Sequence, residues 1–281
     1  MVLDTKTKKK IIEFVVKKPR TIDEISKFLQ NNWRTADRYI AQISKEDGSI
    51  STRVFREGTR GALKIVYCSA LTPIHTSRIQ EALFEKIRLG KKKYDFNPLD
   101  IYQHLDQKKR SAIIEDLDGE KQTNQKLIQF LNKTDDQLLI LSGNLSWINL
   151  HENKNAVFET FKKIVDRGVS VKILTRVDIA SLNNIRKILR LSEQTGKQIG
   201  IRHCDHPLRG FIIDSKVARL KEVKNPEKYK KGELSKETTI YYDFLDSDWV
   251  EWLEKVFWNL YSSSIDADKR IKTLESISQI L

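Results

Sequence analysis

Residues 203–216 read His-Cys-Asp-His-Pro-Leu-Arg-Gly-Phe-Ile-Ile-Asp-Ser-Lys. The mostly apolar stretch Leu208–Ile213 ends at Asp214-Ser215, and a second mostly apolar stretch, Val217–Leu220, begins after Lys216. Two such runs on either side of a pair of turn-forming residues are typical of paired strands. This segment therefore predicts two neighbouring strands of a sheet, joined by a tight turn at Asp214-Ser215.

The sequence around this segment alternates between short apolar runs and longer amphipathic stretches. The runs that predict further strands are Leu138–Leu141, Val169–Leu174, Ile199–His203 and Thr239–Tyr242. The stretches that predict helices are Asn155–Arg167, Ala180–Glu193 and Ser247–Tyr261. Ser142-Gly143-Asn144, after the first strand, is a lone turn and only weak evidence for a phosphate site. The alternation predicts an α/β domain with a mixed sheet over residues 134–281.

The N-terminal quarter of the chain follows a different pattern, three helices and a hairpin. The predicted elements are helices over 6–17, from Thr21 and over 33–46, and strands over Ile50–Arg56 and Ala62–Cys68. Thr21 and Glu24 have the spacing of a capping box, and a glycine-containing loop joins the two strands. Residues 73–133 predict mostly helices. The sequence thus indicates an α+β domain, a helical connector and an α/β domain.

Positive charge is concentrated in the first of these domains. The chain has a net charge of +13, and residues 1–68 hold 15 Lys and Arg against 8 Asp and Glu. At 100° per residue, one arc of about 80° on the third helix holds Arg34, Arg38, Gln42 and Lys45. Ala36, Ile40 and Ile43 lie opposite. Arg and Gln read base edges in a major groove and Lys suits phosphate, which predicts double-stranded DNA as partner.

This order of elements, with this placement of charge, resembles the winged helix-turn-helix domain of archaeal and bacterial transcription regulators over about residues 7–68. The resemblance implies that the third helix enters a groove of duplex DNA. Three arginines of the hairpin, Arg53, Arg56 and Arg60, would then reach the neighbouring backbone. A winged helix used for protein contact and a merely solvated basic surface are the alternatives.

Residues 203–216 resemble the active-site strand of the phospholipase D superfamily, which carries His-x-Lys-x-x-x-x-Asp with a nucleophilic histidine. With Asp214 at the acid position, Arg209 stands at the lysine and Pro207 at the histidine. His206 lies one residue out of register, and such a slip turns a side chain to the other face of a strand. The resemblance implies a phospholipase-D-like fold in which His206, Arg209 and Asp214 are vestigial and no residue is catalytic.

The whole chain, from about Thr7 to Ser264, resembles the TrmB-like archaeal transcription regulators in its architecture. The resemblance implies a DNA-binding domain (1–72), a helical connector (73–133) that can support a homodimer, and a phospholipase-D-like regulatory domain (134–281). Arg209 and Asp214 are expected to lie close together and either to bind a small anionic or polyhydroxylated effector or to form a structural ion pair. The protein would then be a cytoplasmic regulator without cofactor or enzymatic activity.

Two other classes of function stay open. A phosphodiesterase or nuclease would use His206, Arg209 and Asp214, with the winged helix as its substrate anchor. A structural or RNA-associated adaptor is the third possibility. The missing in-register histidine argues against the enzyme.

Composition excludes several further classes. Two cysteines, Cys68 and Cys204, cannot form a disulfide scaffold, and no apolar run approaches the length of a membrane span. Residues 203–206 are metal-ligand types in a row, but adjacent strand residues alternate faces, so no metal site is predicted. By helical angle, Trp33 is expected to be packed and partly buried. Trp258 is expected to be exposed, at a subunit interface.

Overall fold

The computed structural model describes residues 3–56, 62–68, 77–116, 127–152, 155–230 and 233–278. Two compact units make up the chain, Met1–Thr76 and Ser77–Leu281. Each unit has its own hydrophobic core.

The first unit is an α+β unit with a small antiparallel sheet. Its elements are α1 (Thr5–Lys17), β1 (Arg20–Thr21), α2 (Ile22–Leu29), α3 (Trp33–Asp47), β2 (Ile50–Arg56) and β3 (Ala62–Cys68). The strands lie in the order β1-β3-β2. The bounds of β2 and β3 are those that the sequence pattern predicts, while the loop at 57–61 lies outside the described residues.

Local side-chain hydrogen bonds explain where these helices begin. The Thr21 hydroxyl accepts from the N–H of Glu24 (3.1 Å) and the Glu24 carboxylate accepts from the N–H of Thr21 (2.8 Å), which confirms the capping box. At α3, the side-chain oxygen Oδ1 of Asn32 accepts from the N–H of Thr35 (2.8 Å). Gly48 ends that helix with φ +64°, a conformation that costs glycine little.

The second unit is built on one large sheet. Its helices are α4 (Arg78–Leu89), α5 (Leu99–Tyr102), α6 (Val157–Asp166), α7 (Leu182–Thr195), α8 (Ser247–Ser262) and α9 (Ala267–Ser278). Its strands are β4 (Arg110–Asp116), β5 (Gln137–Leu141), β6 (His151–Glu152), β7 (Asn155–Ala156), β8 (Ser170–Thr175), β9 (Ile199–His203), β10 (Gly210–Ile213), β11 (Val217–Lys224), β12 (Thr238–Phe244) and β13 (Ile265–Asp266).

The large sheet is mixed, as the sequence predicts, with strand order β13-β9-β8-β5-β10-β11-β12-β4. Its centre, β5, β8 and β9, is parallel, and the remaining neighbours pair antiparallel. The carboxyl ends of β5 and β8 therefore lie at one edge of the sheet, where open α/β sheets place their ligands. The turn between β10 and β11 lies at the opposite edge, because Ile213 pairs with Leu138 at the start of β5.

Two features of this unit differ from the sequence analysis. No strand was predicted between 76 and 133, and this is wrong for β4, which pairs along its whole length with β12. Its exposed Ser111, Ala112 and Ile114 hide the period-two pattern by which strands are recognised. The boundaries predicted at residues 72 and 133 stay predictions.

Trp258 is the second difference, because it is buried rather than exposed. Its ring packs edge-on against Phe257 and Tyr261, and its indole N–H donates to Glu254 (3.3 Å). Both the sheet and α4 lie against α8, so this helix is covered on more than one side. None of the helices in the described ranges has the length and apolar content that crossing a bilayer requires.

Candidate functional site

The third helix of the first unit has one buried side and one cationic side. Ala36, Ile40 and Ile43 are fully buried in the core of the unit, as predicted. Arg34 and Arg38 are exposed to solvent on the opposite side. The side that does not pack therefore presents two guanidinium groups along the first half of α3.

The polar side of α3 continues with residues that are more constrained. Gln42 and Lys45 are half-buried. The Gln42 amide donates to Glu46 Oε1 (2.7 Å), and Glu46 Oε2 pairs with Lys8 Nζ (2.8 Å). The hydrogen bond to Glu46 therefore restrains the Gln42 side chain and engages one of its two amide N–H groups.

Trp33, the first residue of α3, is 58% exposed, so the prediction that it is packed and partly buried is wrong. Helical side chains lean towards the N-terminus of their helix, and a first-turn residue has no preceding turn to cover. The Arg34 guanidinium lies 5.7 Å from the Trp33 ring centroid. An exposed aromatic ring thus joins the cationic surface, which the angular argument from sequence did not reveal.

The hairpin contributes at least one further cation. Arg53 is exposed on β2, whereas Arg60 and the side chain of Arg56 lie outside the described residues. Lys64 on β3 pairs with Asp37 on α3 (2.6 Å), an ion pair that joins the hairpin to the helix.

The second unit contains a cavity of about 610 Å³ beside the carboxyl ends of β5 and β8. Its cations are Lys92, Lys93, Arg176, Arg209, Arg219 and Lys221, against the two carboxylates Asp178 and Glu237. Its aromatic side chains are Tyr94, Trp147, Phe211 and Tyr241. The cavity therefore combines an excess of positive charge with a broad apolar wall.

Arg209 lies at the entrance to β10 and is fixed by the backbone around it. Its Nη1 donates to the carbonyl oxygens of His206 (2.8 Å) and Leu208 (2.6 Å). Its guanidinium lies so close to Gly143 that a Cβ there would be 2.8 Å from Nε. Burial, reinforced by the neighbouring charge of Arg176, lowers the pKa of Arg209 to about 10.

The other two arginines of the cavity have carboxylate partners. Arg176 Nε lies 3.2 Å from Asp205, and Arg219 makes two contacts with Asp243 (2.6 and 2.7 Å). Within the described part of the chain, no carboxylate lies at ion-pair distance from Arg209. Asp205 favours the charged form of Arg209 as well, but it pairs with Arg176, so these two guanidinium groups share one nearby carboxylate.

The loop after β5 lines the same cavity. Ser142, Gly143 and Asn144 all contribute to it, and the Ser142 hydroxyl accepts from the N–H of Leu145 (3.0 Å). Their turn-like sequence and their place after a buried strand were the signal available from sequence. The rest of the lining comes from segments as distant as 92–94 and 219–241, which have no local pattern in common.

Asp214 lies at the other end of β10, so the expectation that it approaches Arg209 is wrong. At about 3.3 Å per residue, the strand separates the two Cα atoms by roughly 16 Å. The Asp214 carboxylate accepts instead from the N–H groups of Asp135 (2.9 Å), Asp136 (2.9 Å) and Gln137 (2.7 Å). Burial raises the pKa of Asp214, but these three donors outweigh it and hold the pKa below its ordinary value.

His206 is buried, and its Nε2 lies 3.3 Å from the carbonyl oxygen of Leu174. Burial, with the nearby charge of Arg209, lowers the pKa of His206 to about 3, so the imidazole is neutral at pH 7. The structure brings His206 next to Arg209 but separates both from Asp214. These three residues do not converge on one reacting centre.

Metal-ligand types do not cluster in the described part of the chain. No group of three or more His, Cys, Asp or Glu side chains there has the geometry to hold an ion. His203 Nδ1 accepts from the N–H of Val177 (3.0 Å), which occupies one of its two nitrogens. Neither Cys68 nor Cys204 takes part in a disulfide bond.

Of the known proteins compared with this chain, only solved structures show similarity to it. No family model and no curated protein matches the chain. Nuc, a phospholipase D family member from Salmonella typhimurium, is 12% identical over 56% of this chain and 97% of that one, with a TM-score of 0.39. The archaeal chromatin protein TrmBL2 is 16% identical over 94% of both chains, with a TM-score of 0.41. NucT from Helicobacter pylori is 12% identical over 56% and 98%, with a TM-score of 0.40.

The exposed side of α3 can attract a polyanion and offers two planar guanidinium groups to it. The cavity of the second unit can hold a small molecule of negative charge.

Proposed function

We propose that the chain is a DNA-binding transcription regulator, in which the first unit is a winged helix that contacts duplex DNA and the second unit is regulatory. The observation that carries the proposal is the exposed, cationic side of α3, where Arg34 and Arg38 lie opposite a fully buried apolar side. A major groove about 12 Å wide admits one α-helix, and arginine is the side chain that most often reads guanine there.

The remaining residues of this surface have separate roles in the proposal. Lys45 and Arg53 contact phosphates, which raises affinity without reading sequence. Gln42 exchanges its hydrogen bond to Glu46 for one to an adenine edge. Arg56 and Arg60 extend the phosphate contacts along the hairpin, as the sequence predicts. Homodimerisation through residues 73–133, which would pair two half-sites about one helical turn apart, stays a prediction.

Replacing both Arg34 and Arg38 with alanine is expected to weaken binding of the full-length chain to duplex DNA at least tenfold. Arg38→Ala alone costs about 1–3 kcal/mol if its guanidinium reads a base. The measurement is fluorescence anisotropy at fixed salt, with a duplex that the protein selects from random-sequence DNA and a scrambled duplex of equal length.

The matched control removes two charges from the same unit at another surface. Lys9 and Lys10 are exposed on α1, and the Lys9→Ala, Lys10→Ala variant should change affinity for the selected duplex less than threefold. Equal affinities of wild type and the arginine double variant for the selected duplex would overturn the proposed use of α3.

A phosphodiesterase is the alternative, and the positions of two residues disfavour it. His206 is buried and Asp214 is occupied by three backbone donors at the far end of β10. We expect full-length protein incubated with bis(4-nitrophenyl) phosphate, with and without divalent metal, to release no more nitrophenol than the His206→Ala variant. Turnover that disappears in this variant would establish the enzyme in place of the regulator.

A further inference from the structure

The cavity of the second unit has the size and position of a small-molecule site. Its volume of about 610 Å³ falls in the range of about 300–1,000 Å³ that is usual for ligand pockets. It opens beside Leu141 and Arg176, at the edge of the sheet where β5 and β8 end. That edge is where open α/β sheets bind their ligands.

One end of the cavity has an excess of positive charge, because Arg176 and Arg209 share one nearby carboxylate, Asp205. Arg209 lies against Gly143, with its Nη1 hydrogen-bonded to two carbonyl oxygens and no carboxylate at ion-pair distance among the described residues. A charged group that is removed from water is costly unless an opposite charge accompanies it. The lowered pKa of Arg209 reports the same cost. A bound anion would supply the missing charge.

One wall of the cavity is formed by aromatic side chains. The Trp147 ring is fixed by edge-on contacts with Phe161 (5.5 Å) and Phe211 (5.3 Å). Its indole N–H is buried and finds no acceptor among the described residues. An atom without accessible surface does not face the cavity, so Trp147 contributes the apolar part of its ring to the lining. Tyr241 adds a further ring to the lining.

We propose that this cavity binds a small organic anion with a flat apolar body. The acidic group lies against Arg209 and the Ser142–Asn144 loop, and the apolar body lies against Trp147 and Tyr241. Of the two effector classes expected from sequence, the geometry favours the anionic one, and it leaves Asp214 outside the site. The proposal is independent of DNA binding by the first unit.

The test measures binding of four probes to the full-length chain by thermal shift and isothermal titration calorimetry. 2-Naphthyl phosphate and 2-naphthoate combine an acidic group with a flat ring system, whereas 2-naphthol and inorganic phosphate each provide one of these features. We expect the two aromatic anions to raise Tm and to bind at least tenfold more tightly than 2-naphthol or phosphate. No Tm rise with either aromatic anion, or equal affinity for 2-naphthol, would overturn the proposal.

Two variants locate the site and one serves as a matched control. Arg209→Met should weaken binding of 2-naphthyl phosphate at least tenfold. Arg202→Met should change it less than twofold, because Arg202 likewise donates to two carbonyl oxygens, of Tyr261 (2.6 Å) and Ser262 (3.3 Å), but lies outside the cavity lining. An equal loss of affinity for 2-naphthyl phosphate in Arg209→Met and Arg202→Met would mean that the cavity is not the site.

Gly143→Ala keeps the test valid if Arg209→Met fails to fold. The added methyl group must displace the Arg209 guanidinium from its hydrogen-bonded position, while all charges remain. We expect at least fivefold weaker binding of 2-naphthyl phosphate, and unchanged affinity would contradict the proposal. DNA affinity of the same variants without probe should equal that of wild type, so the two proposals can fail separately.

Discussion

Replacing Gly210 with alanine is expected to lower the free energy of unfolding of the second unit by on the order of 4 kcal/mol or more. Gly210 begins β10 and pairs with Leu141 on one side and Leu220 on the other. A Cβ at this position would overlap the backbone carbonyl of Arg219, and neither backbone can yield without breaking the pairing of β10 with β11. Urea denaturation followed by tryptophan fluorescence measures the effect, since four of the five tryptophans lie in this unit.

Substitution of a second glycine, Gly196, measures the effect of backbone strain without a steric overlap. Gly196 has φ +63°, but nothing lies within 4 Å of the position where its Cβ would be. Gly196→Ala should therefore cost only about 1–2 kcal/mol, the strain of a left-handed alanine. If the two variants lost equal stability, close approach of the β11 backbone would not be the reason for glycine at 210.

Elements whose signals are local could be predicted from the sequence. The capping box at Thr21 and Glu24 depends on residues three apart, and the bounds of β2 and β3 depend on apolar runs broken by glycine. The mixed sheet followed from the alternation of strands and helices beyond residue 137. In these cases the residues that determine the structure are neighbours in the chain.

Features that depend on distant segments could not be predicted in the same way. β4 is a strand because β12 pairs with it, and its own residues show little alternation. Trp258 is buried because α4 and the sheet both cover α8, whereas a helical wheel considers one helix alone. The excess of positive charge around Arg209 depends on segments that are distant in the chain, from Gly143 to His206, and no local pattern predicts it.

The spacing of Arg209 and Asp214 shows how a motif can be found and its geometry misjudged. Both residues flank β10, and a motif comparison treats them as parts of one site. An extended strand, however, carries its two ends to opposite edges of the sheet. The candidate site is therefore formed at the Arg209 end, with the Ser142–Asn144 loop. Asp214, at the other end, accepts a hydrogen bond from the backbone before β5 and lies outside the site.

Replacing Asp214 with alanine is expected to lower the free energy of unfolding of the second unit by about 2–4 kcal/mol. The variant removes the acceptor for the N–H of Gln137, a buried residue, and for the more exposed N–H groups of Asp135 and Asp136. It also places alanine at φ +52°, where aspartate and asparagine are better tolerated. Urea denaturation followed by tryptophan fluorescence at pH 7 measures the loss.

The pH dependence of the free energy of unfolding shows how much of the contribution of Asp214 comes from its negative charge. Its pKa in the folded chain lies below the ordinary value of 3.8, so its carboxylate stabilises the fold above that value and loses this effect as the pH falls through the folded pKa. The stability difference between wild type and Asp214→Asn, which keeps one acceptor oxygen and tolerates the backbone conformation, should be constant from pH 7 to pH 5 and shrink below pH 4. If the difference in free energy of unfolding persisted unchanged at low pH, the charge of the carboxylate would not be the reason why Asp214 stabilises the fold.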